Sequence, residues 1–229
     1  MIPNPRTLKI AGATLIAASA LAILAMSHHP TAHSGTPEAW VSEIARIGGL
    51  SRAVHAVMIG TVIAIWLALD TWSDARGGRG AVRVAARLYG LGALAMIGAA
   101  LVNGFALGAL AARAVQSGPD AVQGAARLIP LTWALNQTLA GFGILMLSGG
   151  IAAWSLDLWR TPGALARTIA GYGVLTTTLA CVAYALGLFR LDVMGMGAVV
   201  VTQGVWYVLV GVVMWRSAID PAKRIEPAM

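Results

Sequence analysis

Six apolar stretches divide this chain, each about as long as the ~20 residues a helix needs to cross roughly 30 Å of hydrocarbon. They cover approximately residues 8–27, 52–72, 86–112, 128–156, 166–189 and 193–215. A backbone in lipid must satisfy its polar groups internally, so the stretches predict helices. The third and fourth are long enough to tilt or to emerge from the bilayer. Composition agrees, since 58% of the residues are hydrophobic and only 11% are charged, where a soluble domain carries about 25%. The expected architecture is all-α, a single six-helix integral membrane bundle over residues 1–229.

The cations orient it. With the N-terminus in the cytoplasm, Arg6, Lys9, Arg76, Arg79, Arg83, Arg87, Arg160, Arg167, Arg216, Lys223 and Arg224 lie on that side, eleven in all. Arg46, Arg52, Arg113, Arg127 and Arg190, five cations, lie on the other. This positive-inside asymmetry predicts both termini in the cytoplasm and a multi-pass protein of the inner membrane. Trp72, Trp154, Trp159 and Trp215 then fall near the cytoplasmic interface, a place that suits an amphipathic indole. The net charge of +7 therefore speaks of the bilayer. No basic stretch interleaved with aromatics points to nucleic acid. The expected partners are lipid and a second copy or a membrane complex. A cleaved leader is the competing reading of the first stretch, but Ile23 in "AILAMS" stands where a small residue would be wanted.

The connection after the first stretch is the longest, and "SGTPEAWVSEIARIGG" reads as a short amphipathic helix on the outer surface. Thr36 is its N-cap, Pro37 its first residue and Glu38 complements the dipole. Gly48 and Gly49 supply the expected stop, and Trp40, Ile44 and Ile47 share one face. An internal echo links "LDTW" at 69–72 with "LDLW" at 156–159, each followed by a basic turn and an Ala-Arg pair, which suggests a duplicated hairpin. Asp70 and Asp157 occupy matching places there. They are expected to pair with Arg76 or Arg160 at the hydrated span ends rather than to relay protons. Gly92, Gly98, Gly141, Gly143, Gly149 and Gly150, with the Gly104–Gly108 pair, are expected at close helix contacts. The lone Cys181 allows no intrachain disulfide and is read as a small buried hydrophobe.

All four histidines map to the outer side. His28, His29 and His33 follow the first span in "AMSHHPTAHS", and His55 lies about one turn into the second. A single loop joins those antiparallel helices, so His28 or His29 is placed to approach His55. Met26 precedes the pair and Met58 follows His55 by three residues, while Met194 and Met196 open the sixth span. Imidazole with thioether suits copper. Haem b would take His55 with His28 or His29 as axial ligands, and the absence of CxxCH excludes covalent attachment. Zinc fits less well, needing Glu38 or Glu43 to complete its ligands. The alternative is a solvated polar loop without any cofactor. Below the histidines, Asn103, Thr132, Asn136, Gln137, Tyr184, Gln203 and Tyr207 are polar groups at membrane depth. They should face the interior, either bonding helices together or lining a cavity open to the outside.

No catalytic signature is present, so the sequence assigns no reaction. The leading expectation is a metal or haem site at the outer face serving redox chemistry or copper handling. A structural or assembly subunit without a metal, and a small-solute or lipid carrier using the polar cavity, are the alternatives.

Overall fold

The computed structural model describes residues 4–32, 35–78, 80–188 and 190–219, the side chains of 218 and 219 excepted. Among the described residues every regular element is helical. The order is α1 (Pro5–Ser27), α2 (Pro37–Ala75), α3 (Gly80–Leu101), a π-helical turn (Val102–Ala106), α4 (Leu107–Ser117), α5 (Pro119–Trp159), α6 (Ala164–Ala185) and α7 (Val193–Ile219). With α3, the π turn and α4 forming one continuous rod, six helices are long and apolar enough to cross a membrane.

Local chemistry explains most of the ends. Asn4 and Thr36 cap α1 and α2 by accepting from the backbone N–H of Thr7 and Ala39, each ahead of a proline in the first turn. Pro119 opens α5 after Gly118, whose φ of 101° makes the reversal from α4. Gly77 and Gly78, both at positive φ, turn the chain after α2.

Gly48 and Gly49 do not stop a helix. The amphipathic segment is the N-terminal part of a 39-residue α2, and its apolar face packs toward α4 and α5. Val41 is buried with Leu107, Ala111 and Ile129 in a separate small core, against which Trp40 and Ile44 pack. Gly48 lies close to Gly108, where a Cβ on Gly48 would come 3.9 Å from the Gly108 Cα. The missing side chain thus admits a neighbouring helix, while the unbroken helix keeps every backbone group bonded. At 1.5 Å per residue α2 is roughly 58 Å long, so it rises well beyond the hydrocarbon.

The tightest pairings are α3 with α5 and α1 with α7. At the first, a Cβ on Gly92 would meet the Leu147 nitrogen at 2.7 Å; at the second, one on Gly12 would meet the Gly211 carbonyl oxygen at 2.6 Å. Small residues let these backbones approach, which in lipid replaces the hydrophobic drive available in water. Gly98 and Gly149 make only ordinary contacts, with nearest approaches of 3.4 Å.

Two expected interfacial tryptophans are core residues. Trp72 and Trp154 are 4% and 1% exposed and pack with Trp206, Tyr89 and Tyr207. They point inward because Trp154 donates its indole N–H to Ser73 Oγ at 3.0 Å, linking α5 to α2. Trp159 and Trp215 are exposed, and Lys9 lies 4.7 Å over the Trp215 ring. The repeated pattern accordingly has unlike environments, with Trp72 buried and its counterpart Trp159 on the surface. Asp157 receives Arg76 from the α2–α3 turn, whereas Asp70 is exposed.

Candidate functional site

His55 stands 20 residues before the end of α2, roughly 30 Å along a helix and therefore one hydrocarbon thickness away. Its side chain is buried at 3% exposure. The Nδ1–H donates to the Ser51 carbonyl at 2.7 Å, one helical turn earlier. That bond leaves Nε2 as the lone-pair nitrogen and points it away from its own helix. Asn103 Nδ2 donates to it at 3.2 Å.

The facing rod is shaped around this imidazole. A Cβ on Gly104 would overlap His55 Cβ and Cγ, so no larger residue fits without displacing the ring. Asn103 and Gly104 are consecutive, yet one bonds the ring and the other makes room for it. In a regular α-helix neighbours diverge by about 100°, and the widened π turn at Val102–Ala106 relieves that divergence.

His29 completes the cluster. Its Nε2 lies 3.3 Å from His55 Nε2, with the rings edge to face at 70° and 4.8 Å between centroids. Its Nδ1 is buried without a hydrogen-bond partner among the described residues. Burial, reinforced by the neighbouring His55, lowers the His29 pKa to about 4, against a weaker opposing effect of the Pro30 backbone. The ring is neutral at physiological pH. His28 takes no part, being exposed with its Nδ1 2.9 Å from the Leu24 carbonyl, where it caps its own helix. One residue of difference in register at the end of α1 selects His29. His33 lies outside the described residues.

A cavity of about 430 Å³ opens against this cluster. Asn103, Asn136 and Gln137 line it with the two histidines, and Met26 and Met58 contribute thioethers. Gln137 also donates to the Leu191 carbonyl at 3.2 Å, holding the start of α7. Most of the wall is apolar, including Trp40, Ile44 and Ile47 from the extension of α2. Trp133 and Met194 line the cavity yet are 43% and 82% exposed, so they mark its mouth between α5 and α7.

The other expected cavity residues separate from it. Gln203 and Tyr207 lie on a smaller void of about 70 Å³ behind Met58, Met96 and Met196, which border both spaces. There Tyr89 donates to Tyr207 at 3.0 Å, Tyr207 to Gln203 at 3.1 Å and Gln203 to Ser148 at 3.2 Å. These bonds join α3, α5 and α7 across the core. Thr132 turns back to the Ile129 carbonyl at 2.8 Å, as membrane threonines often do. Tyr184, from α6, packs against Gly141 of α5 beside a small core of Ala99, Ala140 and Ile144.

Gly104 was expected at a close helix contact but not against an imidazole, and Ser51 and Asp192, which both line the cavity, were not singled out by sequence. Only Ser51 left a trace there, four residues ahead of a histidine on the same helix face.

The His29–His55 geometry also limits the ligands it can hold. Opposed axial nitrogens on one haem iron stand about 4 Å apart with the macrocycle between them. An edge-to-face pair at 3.3 Å leaves no plane for it. Among the described residues no group of three or more His, Cys, Asp or Glu stands ready for a metal, which disfavours a closed zinc site. No known protein family, curated protein or solved structure matches the chain.

Proposed function

We propose that this chain is a polytopic binding protein of the inner membrane, with both termini cytoplasmic, that takes a lipophilic small molecule carrying a polar head into its outer-half cavity. One observation carries this reading: an apolar cavity of about 430 Å³ ends in a convergent set of imidazole and amide groups. That combination of shape and sparse polarity is the ordinary form of a small-molecule site. The apolar wall would cover the ligand's hydrocarbon, while Asn103, Asn136 and Gln137 would meet its head. Trp133 and Met194 at the mouth suit entry from the outer leaflet, since Trp133 lies 26 residues before the end of α5, roughly 39 Å along the helix and outside the hydrocarbon.

The test is extraction of the protein purified in nanodiscs, followed by mass spectrometry of the bound organic compounds. Ala100, which lines the cavity and is half-buried, is changed in the comparison variant Ala100→Phe. A lipophilic compound retained by the wild type and lost from Ala100→Phe supports the proposal. Equal recovery from both proteins, or none from either after incubation with a bacterial lipid extract, overturns it.

A further inference from the structure

We propose that the paired imidazoles of His29 and His55, together with thioether sulfur from the cavity wall, form a binding site for a soft cation of the Cu(I) class. The site lies at the head of the same cavity but stands on separate observations, so it does not depend on a lipophilic occupant.

The first observation is the spacing. Two nitrogens each 2.0–2.1 Å from a shared metal are separated by roughly 3.3–3.6 Å for tetrahedral to trigonal angles. The Nε2 atoms stand 3.3 Å apart.

The second is orientation. The Ser51 carbonyl holds the His55 Nδ1–H at 2.7 Å. A backbone partner of this kind fixes the tautomer of metal-binding histidines and aims the other nitrogen at the ion. Asn103 donates to that nitrogen at 3.2 Å, and it would swing aside on cation binding.

The third is the donor set around the pair. Met26, Met58, Met96, Met194 and Met196 all line this one cavity, out of nine methionines in the sequence. Methionine fills core gaps elsewhere in proteins, but here five border the cavity against which the two imidazoles sit; Met96 turns its sulfur toward Gly143 and Met194 stands at the mouth, which leaves Met26, Met58 and Met196 as the candidate thioethers. Because no third His, Cys, Asp or Glu joins the pair among the described residues, thioethers are the donors at hand. Such a mixture selects Cu(I) over zinc or the hard cations.

The full-length protein, purified without a histidine tag in nanodiscs, is titrated anaerobically with Cu(I) against a chromophoric Cu(I) chelator. The expected result is one Cu(I) per chain, with affinity lowered about tenfold or more in His29→Ala and His55→Ala and also lowered in the double variant Met26→Leu plus Met58→Leu. X-ray absorption at the copper edge of the wild type guards against misfolded variants, and is expected to show both nitrogen and sulfur neighbours. Failure of the wild type to compete for Cu(I) overturns the proposal, as does copper retained by folded His29→Ala and His55→Ala, or a copper shell without sulfur. Loss of copper from the histidine variants with the organic extract unchanged would leave the lipophilic reading standing, and the reverse pattern in Ala100→Phe would leave the metal site standing.

Discussion

His29 and His55 are 26 residues apart in sequence and meet Nε2 to Nε2 at 3.3 Å, joining the loop after α1 to the middle of α2. Everything that positions this pair lies on other elements or one helical turn away, so it can be perturbed without touching either imidazole.

Gly104 is the most direct lever. A methyl group there would overlap the His55 side chain, and overpacking of this kind costs about 1–3 kcal/mol. Gly104→Ala is expected to lower the thermal midpoint and to weaken Cu(I) binding, while Gly49→Ala, inside α2 with nothing among the described residues within 4 Å of an added Cβ, leaves Cu(I) binding unchanged and raises the midpoint slightly, as alanine does in a helix interior. Equal behaviour of the two variants would contradict the close fit of Gly104 against His55.

The Arg76–Asp157 pair ties the C-terminal ends of α2 and α5. Arg76 is buried, bonds Asp157 through Nε at 2.6 Å and Thr161 through Nη2 at 3.2 Å, and keeps Nη1 without a hydrogen-bond partner among the described residues. Asp157→Asn leaves that guanidinium without its counter-charge and should destabilise by about 3 kcal/mol, whereas Arg76→Met combined with Asp157→Leu should recover most of the loss. Chemical unfolding of the three proteins decides it. A double variant as weak as the single one would show that the ion pair itself is strongly net stabilising.

Acid should act on His29. Its imidazole binds a proton only near pH 4 in the fold, against about 6.5 in an unfolded chain. Between those values the unfolded chain holds more protons, so stability falls as pH drops from 6.5 to 4, and below that the loss is complete. Nitrogen NMR of the labelled histidines, with His29 assigned by His29→Gln, should show a neutral ring at pH 6. A midpoint at 6.5 would mean that the ring is solvated.

Topology is open to labelling. In a Cys181→Ala background, an impermeant maleimide applied to intact cells should modify Ser117→Cys, at the end of α4, and spare Arg160→Cys, at the end of α5. The opposite pattern would invert the proposed orientation.

Helix number, the Thr36–Pro37 start of α2 and the inventory of polar residues at membrane depth were all legible in the sequence. Run length, capping chemistry and the cost of polar atoms in lipid are local properties that a chain carries without its fold. Which faces meet is not local. Gly48 was expected to end a helix and instead admits another one, because the approach of Gly108 belongs to a partner 60 residues away. Trp72 and Trp154 were expected at the interface and lie in the core, because a hydrogen bond to Ser73 and stacked neighbours outweigh the interfacial preference of an indole. The polar groups divided into a lined cavity and a bonded core layer for the same reason, since methionines from three helices close the space between them. The choice of His29 over His28 turned on a single residue at a helix end, where the side chain's direction is set by the backbone around Pro30 and by the ring waiting on α2.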